Sequence, residues 1–368
     1  MAYRLEDRFA TDRSAGTING TAAEPGPGTR TVVDSGSRLA IASGALTCAS
    51  GASSWGDPGL YHSSQPRAGG RAFLASFLTT VANTAIGWHG AASGRVNYQA
   101  LYFSGGAALV HQPSDQTIGG YSAATTYTVA FIQRAAGAFF LISGGAFTTY
   151  PTMTLLWVDA FQNATPLYPA WSNFNSAVTT DDWRVVDLGA PWDTTFGAAT
   201  SATTTPTSGA TGTMTADGLV EFTWTAATGE TLDLAVRSTD SNNRWIARCD
   251  QAGSTIRLYE KNGGTETQRA TAAQTWTNGT AYRILVRSLG STITTWVGTA
   301  DNNYTQKNNY ASASFNNTAT GIAASGFATG ANFVAWPRTV TINEAEGQPT
   351  ALRHSLLRTG ARRWGRGL

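Results

Sequence analysis

Residues 276–298 read W-T-N-G-T-A-Y-R-I-L-V-R-S-L-G-S-T-I-T-T-W-V-G, and their apolar positions recur every second residue. Tyr282, Ile284 and Val286 fall on one side of an extended chain, with Arg283, Leu285 and Arg287 on the other. After a glycine-containing break at 288–291, Ile293, Trp296 and Val297 form the return. This alternation predicts an antiparallel hairpin with one face on a core. An amphipathic helix would need apolar residues three and four apart, which are missing. Residues 124–145 (A-T-T-Y-T-V-A-F-I-Q-R-A-A-G-A-F-F-L-I-S-G-G) repeat the design, with Tyr127 matching Tyr282 and Gly137 roughly matching Gly290. Residues 70–91 align without a gap on 218–239. The two offsets, 148 and 155, differ by no more than a small change in loop length, so the pattern predicts one β-sandwich written twice.

Further alternating segments lie near 71–78, 84–90, 96–103, 107–111, 126–133, 138–143 and 152–159. A second series follows near 218–225, 231–237, 244–249, 254–260, 265–270, 281–288 and 292–298. Turn signals recur about every 8–12 residues, as in sandwiches and barrels. The stretch 333–342 closes the second unit as 153–161 closes the first. Between them, 162–183 has two prolines and no period, and its Tyr168, Trp171 and Phe174 need a surface to cover them, so it reads as an ordered connector. The fold class expected is all-β: two tandem antiparallel β-sandwich (jelly-roll) domains with a short helical or extended C-terminal tail. The boundaries are 1–161, the connector 162–183, 184–345, and an Arg-rich tail 346–368 in which only 350–363 has helical character.

Composition fits. The 368 residues suffice for two cores, and charged residues make up only 13%. With 42% hydrophobic residues and 12 Trp, the chain is not of the disordered kind. Its net charge of +2 implies no polyanionic partner. Residues 349–368 hold five Arg and no acid, leaving the remainder slightly acidic, so no nucleic-acid role is expected. Cys48 and Cys249 fall one in each half, so neither half can form its own disulfide. The uncharged run 135–158 contains Gly144, Gly145 and Pro151 and alternates, which favours two strands and a turn over a membrane span. The first residues show no signal-peptide pattern, so the expectation is a soluble protein made in a host cytoplasm and suited to life outside it.

The order W-x-x-G-x-x-Y-x-I-x-V-R, then G-x-x-I-x-x-W-V-G, then F-V-A-W-P-R at 333–338, resembles the concanavalin A-like lectin/glucanase superfamily. Within it, the sequence looks most like the laminin-G-like jelly rolls common in bacteriophage structural proteins. The resemblance covers 183–343 and, more loosely, 30–160. It implies a fold rather than a function, since lectins, glycosidases and structural modules share it.

Retaining glycosidases need two carboxylates about 5 Å apart. Between residues 58 and 158 the sole carboxylate is Asp115, and no strand of the second half shows E-x-D-x-E. No catalytic residue, and hence no enzyme, is expected. His62, His89, His111 and His354 match no metal-ligand spacing. No cofactor is expected either, calcium being the one alternative. Laminin-G-like domains often hold calcium, which would fall to Asp240 and Asp301; each also reads as an Asx turn. For glycans, aromatics and amides on loops are the candidates: Trp55, Tyr61, Asn303, Tyr304, Asn309 and Tyr310, weighed against ordinary packing roles. Arg353, Arg358, Arg362, Arg363 and Trp364 suit an anchoring tail that packs on a neighbouring protein. Together these readings imply a non-enzymatic structural protein of a bacteriophage virion, on capsid or tail. Its expected partners are other virion proteins, further copies of itself and host-surface polysaccharide. The alternatives are an extracellular carbohydrate-binding module and a degenerate polysaccharide hydrolase.

Overall fold

The computed structural model describes residues 3–49, 55, 57–79, 83–90, 98–112, 116–134, 137–145, 152–159, 166–174, 177–188, 201–203, 206, 209–299, 304–315 and 319–342. The described residues are all-β. The first half contributes β1 (Leu5–Asp7), β2 (Thr31–Val33), β3 (Leu39–Ala42), β4 (Ala45–Cys48), β5 (Gly59–Tyr61), β6 (Arg71–Thr79), β7 (Asn83–His89), β8 (Tyr98–Phe103), β9 (Ala108–Gln112), β10 (Gln116–Gly120), β11 (Thr125–Arg134), β12 (Gly137–Gly144), β13 (Thr152–Val158), β14 (Tyr168–Phe174) and β15 (Val178–Asp187). The second contributes β16 (Ser201–Thr203), β17 (Gly209–Thr213), β18 (Gly218–Thr225), β19 (Thr231–Asp240), β20 (Asn243–Asp250), β21 (Thr255–Asn262), β22 (Thr265–Ala273), β23 (Ala281–Leu289), β24 (Thr292–Thr299), β25 (Thr305–Ala311), β26 (Gly321–Ser325), β27 (Gly330–Pro337) and β28 (Thr339–Thr341).

Four antiparallel sheets result. Sheet I has the order β28-β13-β12-β11-β6-β15-β4-β3 with β1 on β15; sheet II is β10-β9-β8-β7-β14-β5-β2. Sheet III is β16-β27-β18-β23-β24-β25, and sheet IV is β17-β26-β19-β20-β21-β22. The six strands of sheet III match β4-β15-β6-β11-β12-β13 of sheet I in order, and the six of sheet IV match β5-β14-β7-β8-β9-β10 of sheet II, so the duplication read from the sequence is a duplication of topology; β1, β2, β3 and β28 have no counterpart among the described residues. Its residue alignment needs one correction. Tyr127 pairs with Phe77 and Tyr282 with Trp224, whereas the gap-free alignment put Phe77 against Thr225. The alignment is thus one residue out across β6 and β18, a slip that exchanges inward and outward faces.

The connector reading is overturned. Residues 168–174 form β14 between β7 and β5, and 178–187 form β15 beside β6, so both strands belong to the first sandwich. β14 shows no period because both of its faces are covered. Its Pro169 sits at the end of the pairing with β5, where it accepts from His62 N at 3.1 Å and its missing N–H forfeits only the terminal return bond. The counterpart of β27 is therefore β15, and β13 instead matches β25. The tail from residue 346, including 350–363 where a helix is expected from the sequence, lies outside the described residues.

Within each sandwich the inward positions interdigitate. Phe73 meets Trp88, Phe131 and Trp183, while Phe222 meets Phe327 and Phe333. The outward face of sheet III is apolar too, and it packs on sheet I. Phe139 meets Trp336 at 5.7 Å, and Trp157 meets Trp296 at 4.9 Å. Arg134 donates to Glu221 at 3.0 Å with both side chains buried, and its guanidinium lies 5.3 Å from the Trp336 ring. β28 then crosses back to pair with β13 through Met153 and Val340. The layers stack II–I–III–IV. This explains the uncharged run 135–158: Phe140 faces Phe131 inside the sandwich and Phe139 faces the second sandwich, so both sides of β12 are apolar. No described helix is long and apolar enough to cross a membrane. Cys48 and Cys249 are buried and not joined in a disulfide, and Cys48 Sγ accepts from Asn173 Nδ2 at 3.4 Å.

Candidate functional site

Stacking occupies the outward face of sheet III and the β11–β13 side of sheet I, which leaves sheets II and IV outermost. On sheet IV, Leu232, Leu234, Trp245, Ala247, Ile256 and Leu258 point into the core. The alternate positions therefore point outward, and register brings Ser325, Asp233, Arg248, Arg257 and Thr271 into one row across five strands. The next row holds Ala323, Ala235, Ile246, Tyr259 and Gln268. Neighbouring members of a row lie about 4.8 Å apart.

Arg248 organises this face. It grips Asp233 with two bonds, Nε to Oδ1 at 2.7 Å and Nη2 to Oδ2 at 2.8 Å, and its Nη1 reaches Glu266 at 3.0 Å. The hydrogen bonds it donates to Asp233 push the arginine's pKa still higher, so its charge is permanent. The guanidinium lies 4.8 Å from the Tyr259 ring, whose hydroxyl donates to Gln268 Oε1 at 3.3 Å. Beside them Arg257 pairs with Asp250 at 3.3 Å, and Lys261 approaches Glu266 at 4.0 Å. Arg244 lies opposite Lys261 on the same face, so four cations and three carboxylates share it, and it presents directional donors and acceptors with a net charge of about +1. Asp233 and Glu266 are both committed to one guanidinium, leaving neither as a free acid or base.

The sequence candidates fare differently. Tyr304 is only 2% exposed and packs edge-on against Trp157 at 5.6 Å, in the seam between the sandwiches. Burial pushes its hydroxyl pKa well up, and it cannot serve as a sugar platform. Tyr310 turns the other way, 5.8 Å from Trp245. Asn309 is exposed on β25 and accepts from Thr294 at 3.3 Å. The expected loop platform is thus an edge strand, paired along β24. Trp55 and Tyr61 sit at different points of sheet II's outward face. Trp55 stacks on Phe174 at 5.6 Å, and Tyr61 tilts against Tyr168 at 6.1 Å. Asp240 accepts from Asn243 Nδ2 and from Asn242 N at 2.7 Å; these bonds lower its pKa and close an Asx turn. No group of three or more His, Cys, Asp or Glu able to hold a metal occurs among the described residues. Asn303, Asp301, Arg353, Arg358, Arg362, Arg363 and Trp364 lie outside the described residues.

Two arrangements escaped the sequence reading. His62 lies 3.3 Å from Asp7, which also holds Arg30 at 2.6 Å, all three fully buried. Burial works against the Asp7 charge, but hydrogen bonds from His62 and Arg30 outweigh it and keep its pKa low. This is a structural clasp closed to solvent. Asp181, at an irregularity of β15, has its pKa raised to about 6 by burial and by Asp182. Its neighbour Asp182 is tied to Arg184 at 2.9 Å.

No family model and no curated protein sequence matches the chain. Solved structures do. A carbohydrate-binding module of Bacillus subtilis is 13% identical, covering 37% of this chain and 94% of its own, with a TM-score of 0.29. A galectin of Caenorhabditis elegans is 10% identical, with coverages of 38% and 95% and a TM-score of 0.31. An immunostimulatory antigen and pseudo β-1,3-glucanase of Mycobacterium tuberculosis is 8% identical, with coverages of 51% and 99% and a TM-score of 0.31. At these values the likeness concerns the fold alone.

Proposed function

We propose that the chain is a non-enzymatic, glycan-engaging structural protein of a bacteriophage particle, and that sheet IV carries the contact. The observation behind the glycan reading is the Asp233–Arg248–Glu266 array beside Tyr259 on an outward sheet face. Fixed donors and acceptors next to an aromatic ring suit vicinal hydroxyls and the apolar side of a sugar ring. Charges that nearly balance across the face suit a neutral glycan over a strongly acidic one. The absence of catalysis is argued from Asp233 and Glu266 sharing one arginine. The particle setting rests on the laminin-G-like resemblance and a low-charge, sheet-rich build. A panel of neutral polysaccharides tests the binding: Tyr259→Ala and Arg248→Ala should each weaken retention at least tenfold, Tyr259→Ala without shifting the unfolding midpoint. Retention unchanged in both variants would remove sheet IV from the proposal, and release of reducing sugar would remove its non-enzymatic part. Adjacent genes for capsid or tail proteins would support the particle setting, and their absence would count against it.

A further inference from the structure

A cleft of about 240 Å³ lies where the sandwiches meet, far from the polar face of sheet IV. Leu109, Ile118, Ile142, Leu155 and Leu156 line it from the first sandwich, and Leu219 from the second. Two guanidinium groups, Arg287 and Arg338, share this apolar lining. Arg287 spends Nη1 on the carbonyls of Ile118 at 2.7 Å and Leu156 at 3.4 Å, and its charge lies 4.9 Å from the Trp296 ring. Its Nε is buried without an acceptor, and it pairs with no described carboxylate. Arg338 reaches Asp217 at 3.1 Å through Nη1, while its own Nε is also buried without an acceptor.

Guanidinium groups only donate. Two guanidinium groups in a mostly apolar lining, Arg287 without a described carboxylate partner, ask for a ligand that accepts at one end and is greasy at the other. We propose that the cleft binds a small amphipathic carboxylate, its head on Arg287 and Arg338 and its tail among the leucines. The volume bounds the ligand: at about 30 Å³ for a water-sized group, it holds roughly eight non-hydrogen atoms. Hexanoate has that size. A phosphate would satisfy the donors but leave the apolar wall wet, and a simple alcohol would leave Arg287 unmatched. Burial, then the neighbouring Arg338 charge, lower the Arg287 pKa to about 10, so it stays cationic at neutral pH but is poorly compensated.

Titration calorimetry and ligand-observed NMR on the whole chain test this, with hexanoate, hexanol and acetate as probes. Hexanoate should bind saturably at one site, at least tenfold tighter than either of the others. Arg287→Met should cost at least tenfold. Leu289→Trp, which fills the cleft from a half-exposed position, should abolish binding while leaving the unfolding midpoint in place. Absence of saturable hexanoate binding at millimolar concentration would overturn the assignment. So would equal binding to wild type and Leu289→Trp, or hexanol binding as well as hexanoate.

Discussion

The contact between sandwiches can be broken at one ion pair. Glu221 is 3% exposed and Arg134 is 8% exposed, joined at 3.0 Å, with Arg283 a further 3.8 Å from the glutamate. Glu221→Ala leaves Arg134 buried with only the Asp159 carbonyl, at 3.2 Å, and two aromatic faces for company. Stranding one partner of a buried pair costs about 3–5 kcal/mol. Arg134→Met should cost toward the lower end of that range, because Glu221 keeps Arg283 beside it. The double variant Arg134→Met, Glu221→Leu removes both charges of the pair and should cost less than either single variant, since hydrophobic replacement of whole buried pairs is often neutral or better, and the loss of Glu221 beside the partly exposed Arg283 sets the residual cost. Urea unfolding followed by tryptophan fluorescence is a suitable assay, because Trp157, Trp296 and Trp336 line the same seam. A Glu221→Ala cost below about 1 kcal/mol would refute a dry contact between sheets I and III. A double variant as damaged as the worse single variant would refute the claim that charge stranding sets the cost.

Three other outcomes follow from particular residues. Asp181, raised from 3.8 to about 6, stabilises the fold only while protonated, so its contribution is complete below pH 4 and lost as pH rises through 6. Asp181→Asn should accordingly be the more stable protein above pH 6, by at most about 3 kcal/mol, and a difference that stays flat from pH 4 to 8 in urea titrations would contradict this. Gly87→Ala should cost about 1–3 kcal/mol in the same assay, because a Cβ there would stand 2.4 Å from the Gln99 carbonyl oxygen and 2.6 Å from Ala100 Cα, at a φ of +153°. Tyr304→Ala should lower stability by about 3–5 kcal/mol and leave glycan retention alone, as expected of a ring packed on Trp157 rather than presented to ligand.

How far the chain could be read depended on how many faces of each strand meet solvent. β21 has one face in the core and one toward solvent, alternating buried Ile256, Leu258 and Glu260 with partly exposed Arg257, Tyr259 and Lys261, so its alternation was plain. β14 is covered on both sides, which erases the period, and its proline then suggested a break. Tyr304 and Tyr310 looked like loop aromatics because β25 is rich in Asn and Thr. Asn308 is nonetheless buried, its amide donating to the carbonyl of Ile256 and to Thr295, so the strand is polar in composition yet part of the core. The sheet IV array could not be read at all. Asp233, Arg248 and Glu266 come together only through the register of four strands, and alternation gives faces without giving neighbours.

The duplicated topology raises the question of whether the contact between the two sandwiches could repeat. The second sandwich offers its partner Glu221, Val334 and Trp336, on neighbouring strands of sheet III. Following the hydrogen-bonded register, the equivalent places on sheet I are Leu74, Arg184 and Val186. Arg184 is engaged with Asp182 and lies 5.3 Å from the Tyr3 ring, and β1 runs alongside the same strand. The half of sheet I that a further sandwich would need is therefore charged and flanked by the N-terminal strand, whereas its β11–β13 half receives the apolar face of sheet III. A contact between unlike surfaces of two copies can propagate without closing. Here the copies have diverged so that each keeps a different half of that contact, and the repeating surface is gone.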